Sequence, residues 1–135
     1  MKFRVNEYDR PVMRTMLSVN EKDQSLTFTS NIPEGAYMGL IRANVDRLIG
    51  GAEDSAKTAF INNIKPELAI LISCVGRRLV LKQLVEEEVA AVKEVTGKKS
   101  IITSFYSYGK IAPFGEFSPC ELHNQTMTIT TFTEC

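Results

Sequence analysis

An apolar run followed closely by an amphipathic helix constrains the fold of this chain more than any other feature. The run Leu68–Ser73 reads LAILIS and contains no charged residue. Such a segment is typical of a central strand that is buried on both faces of a sheet. Apolar residues then recur at helical spacing over Arg77–Thr96, and Gly97 supplies a stop signal. We therefore expect a sheet with this strand inside it and a helix packed on that sheet.

A second helix is predicted between Val45 and Phe60, where apolar residues again follow helical spacing. Asn44 is a suitable N-cap, and Pro66 marks the far limit of the helix. The Gly50-Gly51 pair lies within the apolar face. It predicts a short break or a close contact with the sheet, and space for a ligand or a partner backbone is the alternative.

The remaining segments alternate as strands do, and they set the predicted topology. The fold class is α+β, with one mixed, mainly antiparallel sheet covered by two long helices in the order β-β-β-α-β-α-β-β. Residues 1–11 are expected to be a polar lead-in, and residues 12–135 a single domain. The region 109–123 reads as a loop. The other predicted strands are Val12–Val19, Ser25–Ser30, Ala36–Arg42, Ser100–Tyr108 and Thr126–Phe132.

Composition excludes several classes of function. Sixteen basic and sixteen acidic residues give no net charge, whereas a nucleic-acid module normally carries a basic excess. No apolar run approaches the ~18 residues that span a bilayer, and the N-terminus has no secretory pattern. Cys74, Cys120 and Cys135 form no C-x-x-C pair, and His123 is the single histidine, which argues against a disulfide framework or a metal site. We expect a cytoplasmic protein without a cofactor and without a nucleic-acid or membrane partner.

The segment Ser73–Arg78 lies where the apolar strand meets the long helix. A helix N-terminus has free N–H groups, and the guanidinium groups of Arg77 and Arg78 can donate to a carboxylate or phosphate. The alternative is that these arginines pair with acids of the domain itself. The same position would lower the pKa of the Cys74 thiol, although a small buried thiol is the favoured interpretation.

Two further segments carry candidate chemistry. Phe105–Pro113 places two tyrosines before a glycine turn, which suggests a pocket wall or ordinary cross-strand aromatic packing. Leu122–Thr126 is a polar run that either bonds loop backbone or faces a ligand. Cys74 and His123 allow a cysteine hydrolase as an alternative function, but Ile72 occupies the first glycine position of a nucleophile elbow.

These segments can meet only in one arrangement of strands. The strands ending at Ser73 and Tyr108 must be parallel, and the strand starting at Thr126 antiparallel to them. A right-handed crossover through Arg77–Thr96 permits this arrangement. The helix start would then lie beside the tyrosines and the His123-Asn124 pair at one edge of the sheet.

The stretches Ile72–Arg78, Phe105–Pro113 and His123–Thr126 resemble the C-terminal domain of the FIST proteins, the F-box and intracellular signal transduction family. The resemblance implies a sensory domain for small ligands such as amino acids, with no catalytic activity. It also implies a FIST N-terminal domain or a signalling output domain as partner, the former absent from this chain. Lys110 stands where the family pattern has an acid, which suggests a different ligand.

We therefore predict a site for an amino acid or a related small anionic or zwitterionic metabolite. A protein-interaction module is the third hypothesis, after the sensory domain and the hydrolase. The predicted ligand-binding residues are Cys74, Gly76, Arg77, Arg78, Tyr106, Tyr108, Gly109, Lys110, His123 and Asn124.

Overall fold

The computed structural model describes residues 2–4, 11–42, 44–60, 64–113 and 119–134. This part of the chain forms short strands and three α-helices. The elements are β1 (Lys2–Arg4), β2 (Val12–Met13), β3 (Met16–Asn20), β4 (Ser25–Phe28), β5 (Tyr37–Gly39), α1 (Val45–Thr58), β6 (Leu68–Cys74), α2 (Val75–Leu81), α3 (Val85–Thr96), β7 (Ile101–Ser107), β8 (Lys110–Pro113), β9 (Cys120–His123) and β10 (Met127–Phe132).

The predicted apolar strand, β6, is the central strand of a three-stranded sheet with the order β10-β6-β7. Strand β7 pairs with β6 in parallel, and β10 pairs with it antiparallel. Both relations are as the sequence predicted. The carboxyl ends of β6 and β7 therefore lie at the same edge as the start of β10.

The core lies between one face of this sheet and helices α1 and α3. Ala69 and Leu71 of β6 are fully buried there against Ala52 and Ala56 of α1 and Val92 of α3. The side chains of the opposite face, Leu68, Ile70 and Ile72, are only partly buried. Burial of β6 is therefore complete on one face and not on both, because the helices cover a single side.

The prediction of a single sheet is wrong. Beside the central sheet, the described residues form a sheet β2-β1-β5 and the hairpins β3-β4 and β8-β9. The hairpin β3-β4 matches the predicted pairing, but its register shifts between Met16 and Ser18. Strands of two to five residues with such irregularities pair with near neighbours and do not extend a common sheet.

Part of the predicted lead-in is also structured. Lys2–Arg4 form the middle strand of the sheet β2-β1-β5, where they pair with Val12–Met13 and Tyr37–Gly39. The remaining lead-in positions from 5 to 10 lie outside the described residues.

The second long helix is interrupted. Helix α2 ends at Leu81, a 3-10 turn covers Lys82–Leu84, and α3 begins at Val85. Lys82 adopts φ 52°, a left-handed conformation that ends α2. No glycine or asparagine signals this break, since a lysine occupies the strained position. The predicted stop at Gly97 is confirmed, with φ 96°.

Helix α1 agrees closely with the sequence prediction. The Asn44 side chain accepts from the Asp46 N–H at 2.8 Å, as an N-cap should. The helix continues through Gly50 and Gly51, and a Cβ at either position would meet nothing within 4 Å. The predicted break or close sheet contact is therefore wrong. In the described part of the chain, no helix has the length and apolar character needed to cross a membrane.

The predicted loop 109–123 is wrong where it is described. Lys110–Pro113 and Cys120–His123 form the antiparallel hairpin β8-β9, in which Lys110 pairs with His123. Its strands are only four residues long, and Gly109 and Pro113 give them the composition of a loop. This hairpin brings Lys110 to the candidate site.

Candidate functional site

The segments chosen from the sequence meet at one edge of the central sheet. The Cys74 Sγ lies 3.8 Å from the Tyr108 carbonyl oxygen, which also accepts from Asn124 Nδ2 at 3.4 Å. Helix α2, with Arg77 and Arg78, starts directly after Cys74. The structure thus places the three segments together as predicted, at the carboxyl ends of β6 and β7.

Arg77 is held inside the protein. Its Nε donates to Glu88 Oε1 at 2.6 Å, and its Nη2 forms an ion pair with the same carboxylate. Nη2 also donates to the Leu48 carbonyl oxygen at 2.5 Å, and Ser73 Oγ donates to Glu88 Oε2 at 3.2 Å. We call Leu48, Ser73, Arg77 and Glu88 the Arg77 cluster. The sequence predicted that Arg77 either binds a ligand anion or pairs with an acid of the domain. The structure supports the pairing, with Glu88 as the acid.

Glu88 is a buried acid within a run of three. Such a run, Glu86–Glu88, is typical of a solvated helix face, but Glu88 is 1% exposed. The signal was available in the helical spacing. Glu88 follows Val85 by three residues and precedes Val92 by four, which places it on the apolar side of α3.

Arg78 faces an open cleft on the surface. Its guanidinium carbon lies 5.3 Å from the centroid of the Tyr106 ring, within the range of a cation–π contact. The cleft has a volume of about 510 Å³, and Lys82 and Glu86 also line it. Burial, with a smaller effect of Glu88, raises the pKa of Tyr106, while Arg78 and Arg77 oppose the shift.

A second cluster of polar groups surrounds Cys74, which is 3% exposed. Its N–H donates to the Thr126 carbonyl oxygen at 3.2 Å, and Lys110 Nζ donates to the same oxygen. Ser107 is the Cα partner of Cys74 on β7, so the two side chains share a face. We call Cys74, Ser107, Lys110 and Thr126 the Lys110 cluster.

The Lys110 cluster contains polar groups that the described residues do not satisfy. Ser107 Oγ and Thr126 Oγ1 are both buried and have no hydrogen-bond partner among the described residues. Burial lowers the pKa of Lys110 to about 8, Cys74 and Glu88 oppose this shift, and Arg77 adds to it. The cluster therefore combines an amine whose pKa is lowered by burial with two hydroxyl groups that have no partner among the described residues.

The two glycines of the predicted site pack closely against neighbouring side chains. A Cβ at Gly76 would lie 3.1 Å from the Gln125 Cγ, and one at Gly109 would lie 3.2 Å from the Leu122 Cδ1. The absence of a side chain thus lets the turn before β10 and strand β9 approach the edge of the sheet.

Asn124 connects this edge to the base of the hairpin β3-β4. The Asn124 Oδ1 accepts from Thr29 Oγ1 at 2.6 Å, and that hydroxyl accepts from the Thr15 N–H at 3.2 Å. His123 is buried, with its Nε2 at 3.1 Å from the Ala112 carbonyl oxygen. Tyr108 is 88% exposed, so its ring does not form the predicted pocket wall.

Sequence reasoning did not select Ser107 and Thr126. Their positions followed from the predicted topology, because Ser107 ends a strand parallel to β6 and Thr126 begins an antiparallel one. The missing information was the register, which places both beside Cys74.

Among the comparisons with known proteins, only the comparison with family models gave a match. No curated protein matches the chain, and no solved structure matches it. The model of the FIST C domain family matches residues 2–113. The match covers most of the chain and ends at the last residue of β8, so that β9 and β10 lie beyond it. The chain therefore belongs to the FIST C domain family.

Proposed function

We propose that this chain is a non-enzymatic sensory domain that binds a small anionic or zwitterionic metabolite, such as an amino acid, in cytoplasmic signalling. Membership of the FIST C domain family is consistent with a role in signal transduction. The observation that carries the ligand proposal is the Lys110 cluster. Two buried hydroxyls that have no partner among the described residues lie with one amine at the edge where the sequence predicted a site.

The proposed contacts differ from those first expected. Arg77 already donates to Glu88 and Leu48, so a ligand carboxylate would have to displace an internal partner. Lys110 donates to a carbonyl oxygen and not to a carboxylate. The FIST family pattern that this sequence resembles has an acid at this position. An acid would favour an amino group of the ligand, whereas Lys110 favours an anionic group.

A thermal-shift screen of amino acids and small carboxylates tests this proposal. A ligand present at about 100 times its Kd stabilises the folded state by about 2.7 kcal/mol, which raises Tm by several degrees. We expect a saturable shift for the parent and for Lys98→Met, which removes an exposed charge. Lys110→Met should lose most of it. The proposal fails if no compound shifts Tm, or if Lys110→Met responds as the parent does.

A protein-interaction module is a second candidate, and the open face of the central sheet favours it. On that face Ile101, Phe105 and Phe132 are 69%, 54% and 51% exposed. Apolar surface of this kind marks interaction sites. The partner would be a FIST N-terminal domain or a signalling output domain. Co-expression with a FIST N-terminal domain should give a complex that Phe105→Ser weakens and Ser104→Ala does not. An unchanged complex with Phe105→Ser would contradict this candidate.

The hydrolase alternative has less support. A nucleophile must reach substrate, but Cys74 is buried and its Sγ is directed at the Tyr108 carbonyl oxygen. Alkylation of Cys74 in the folded protein, faster than that of the exposed Cys120, would revive this alternative.

A further inference from the structure

We propose that Lys110 captures a small carbonyl compound, an aldehyde or a 2-oxo acid, as a reversible imine on its Nζ. This inference rests on ligand binding at the Lys110 cluster and specifies the chemical class of the ligand. It depends on three features of the cluster, namely the partner of the amine, the burial of the amine and the two hydroxyls that have no partner among the described residues.

The partner of Lys110 suits a neutral amine. Nζ donates to the Thr126 carbonyl oxygen, and this bond needs only one N–H. A neutral amine can therefore keep the bond and still present its lone pair. A lysine paired with a carboxylate would be held in the protonated form, which is not nucleophilic.

Burial favours the neutral form of Lys110, Arg77 adds to this effect, and Cys74 and Glu88 oppose it. Cys74 faces it from the end of β6, Arg77 from α2, Glu88 from α3, and His123 pairs with it from β9. Burial dominates, and the pKa of Lys110 falls to about 8. At pH 7.5 roughly a quarter of such amines are neutral, against about 0.1% for an ordinary lysine. Desolvated lysines of this kind are the ones that form Schiff bases.

The unused hydroxyls fit the oxygen of a carbonyl ligand. Thr126 supplies both the carbonyl oxygen that holds Nζ and a buried Oγ1 without a partner among the described residues. Ser107 Oγ lies on the same face of the sheet as Cys74. Both hydroxyls can donate to an oxyanion that forms beside the amine.

The reaction balances without an oxidant or a reductant. The Nζ lone pair attacks the carbonyl carbon, and a proton moves from nitrogen to the carbonyl oxygen to give a carbinolamine. Loss of that oxygen as water, with the second proton of the amine, leaves a C=N bond. Addition of water reverses the capture, as a sensor requires.

Reductive trapping tests the proposal. The full chain is incubated with glyoxylate and cyanoborohydride at pH 7.5, and the modified lysines are located by peptide mass mapping. We expect a single carboxymethyl group on Lys110, formed at least about tenfold faster than on the exposed Lys98 or Lys99, because more of its amine is neutral. Lys110→Arg should abolish this fast labelling, while Lys98→Arg should retain it.

A double variant tests the hydroxyls separately. Ser107→Ala with Thr126→Val should slow the labelling of Lys110 several-fold without changing that of Lys98. If Lys110→Arg does not fold, the comparison of Lys110 with Lys98 in the parent still decides. Labelling of Lys110 no faster than of the exposed lysines would overturn the proposal.

Glycolate separates this inference from the proposed function, since it is the matched compound without a carbonyl carbon at the reacting position. Equal Tm shifts by glycolate and glyoxylate, without fast labelling, would refute carbonyl capture and leave anion binding supported. Fast labelling of Lys110 without any Tm shift by glycolate would support capture. No shift by either compound or by any amino acid, and no fast labelling, would refute both.

Discussion

Two polar clusters begin at consecutive residues of β6, and they differ in whether their buried polar groups have hydrogen-bond partners. Ser73 points toward the helices and joins the Arg77 cluster, whereas Cys74 points to the other face and joins the Lys110 cluster. In the Arg77 cluster the guanidinium is bonded to Glu88 and Leu48. In the Lys110 cluster two buried hydroxyls have no partner among the described residues. The contrast indicates that the first stabilises the fold, and it is the reason for proposing the second as a ligand site.

The position of each cluster explains the difference. The Arg77 cluster lies between α1, α2, α3 and β6, where every polar group must be paired inside the protein. The Lys110 cluster lies where β6, β7, β8 and β10 end or begin. Strand termini at a sheet edge are a common location for ligand sites.

The largest expected effect comes from breaking the Arg77–Glu88 pair. Glu88→Gln removes the charge that neutralises a buried guanidinium, which costs about 3–5 kcal/mol when one partner of a buried pair is lost. Glu87→Gln, at the exposed neighbouring position, should cost less than about 0.5 kcal/mol. Urea unfolding of both variants checks this. Equal stabilities for the two would show that the pair does not hold the core.

Next in size is the loss of the Asn124 amide. Asn124→Ala leaves the Thr29 hydroxyl without its acceptor and removes one donor to the Tyr108 carbonyl oxygen. We expect a loss of about 1–3 kcal/mol in the free energy of unfolding. Asn20→Ala, at the exposed end of β3, is the control. A larger loss for Asn20→Ala would mean that Asn124 does not fasten the hairpin to the site.

A pair of serine variants compares the clusters directly. Ser73→Ala removes a donor to the buried Glu88 carboxylate and should destabilise the protein by about 1.5–3 kcal/mol, as hydrogen bonds to charged groups do. Ser107→Ala removes a hydroxyl without a partner among the described residues and should be neutral or slightly stabilising. Chemical denaturation measures both. The comparison breaks down if Ser107→Ala is the more damaging change.

Lys110 should also contribute a pH dependence to the stability of the protein. Its folded-state pKa of about 8 lies below the ordinary value of 10.5, so between these pH values the unfolded chain binds more protons than the folded one. The stability of the parent relative to Lys110→Met should therefore rise as the pH increases from 8 to 10.5. Denaturation across this range, with Lys98→Met controlling for the loss of one charge, checks the sign. A relative stability that falls with pH would contradict a depressed pKa.

The sequence predicted the framework because that framework depends on local patterns. The LAILIS run identified β6, helical spacing with Asn44 identified α1, and alternation identified β7 and β10. Apolar periodicity and capping act within a few residues and can be read directly from the chain. The convergence of Cys74, Tyr108 and Asn124 followed, because chain topology fixes which ends share an edge.

What the sequence could not provide is the partner of each polar side chain. Arg77 is bonded to Glu88, eleven residues later, and to Leu48, twenty-nine residues earlier. No local pattern encodes such distances, since they depend on how α1, α2 and α3 pack.

By itself, the sequence determined the order of the main elements, the central strand and the edge at which chemistry-bearing residues gather. Only the tertiary structure decided that Arg77 is committed to the core and that Lys110, on a short hairpin with the composition of a loop, reaches the site. The physical reason is that backbone patterns act locally. The state of a buried charge instead depends on which distant groups packing brings within hydrogen-bonding distance.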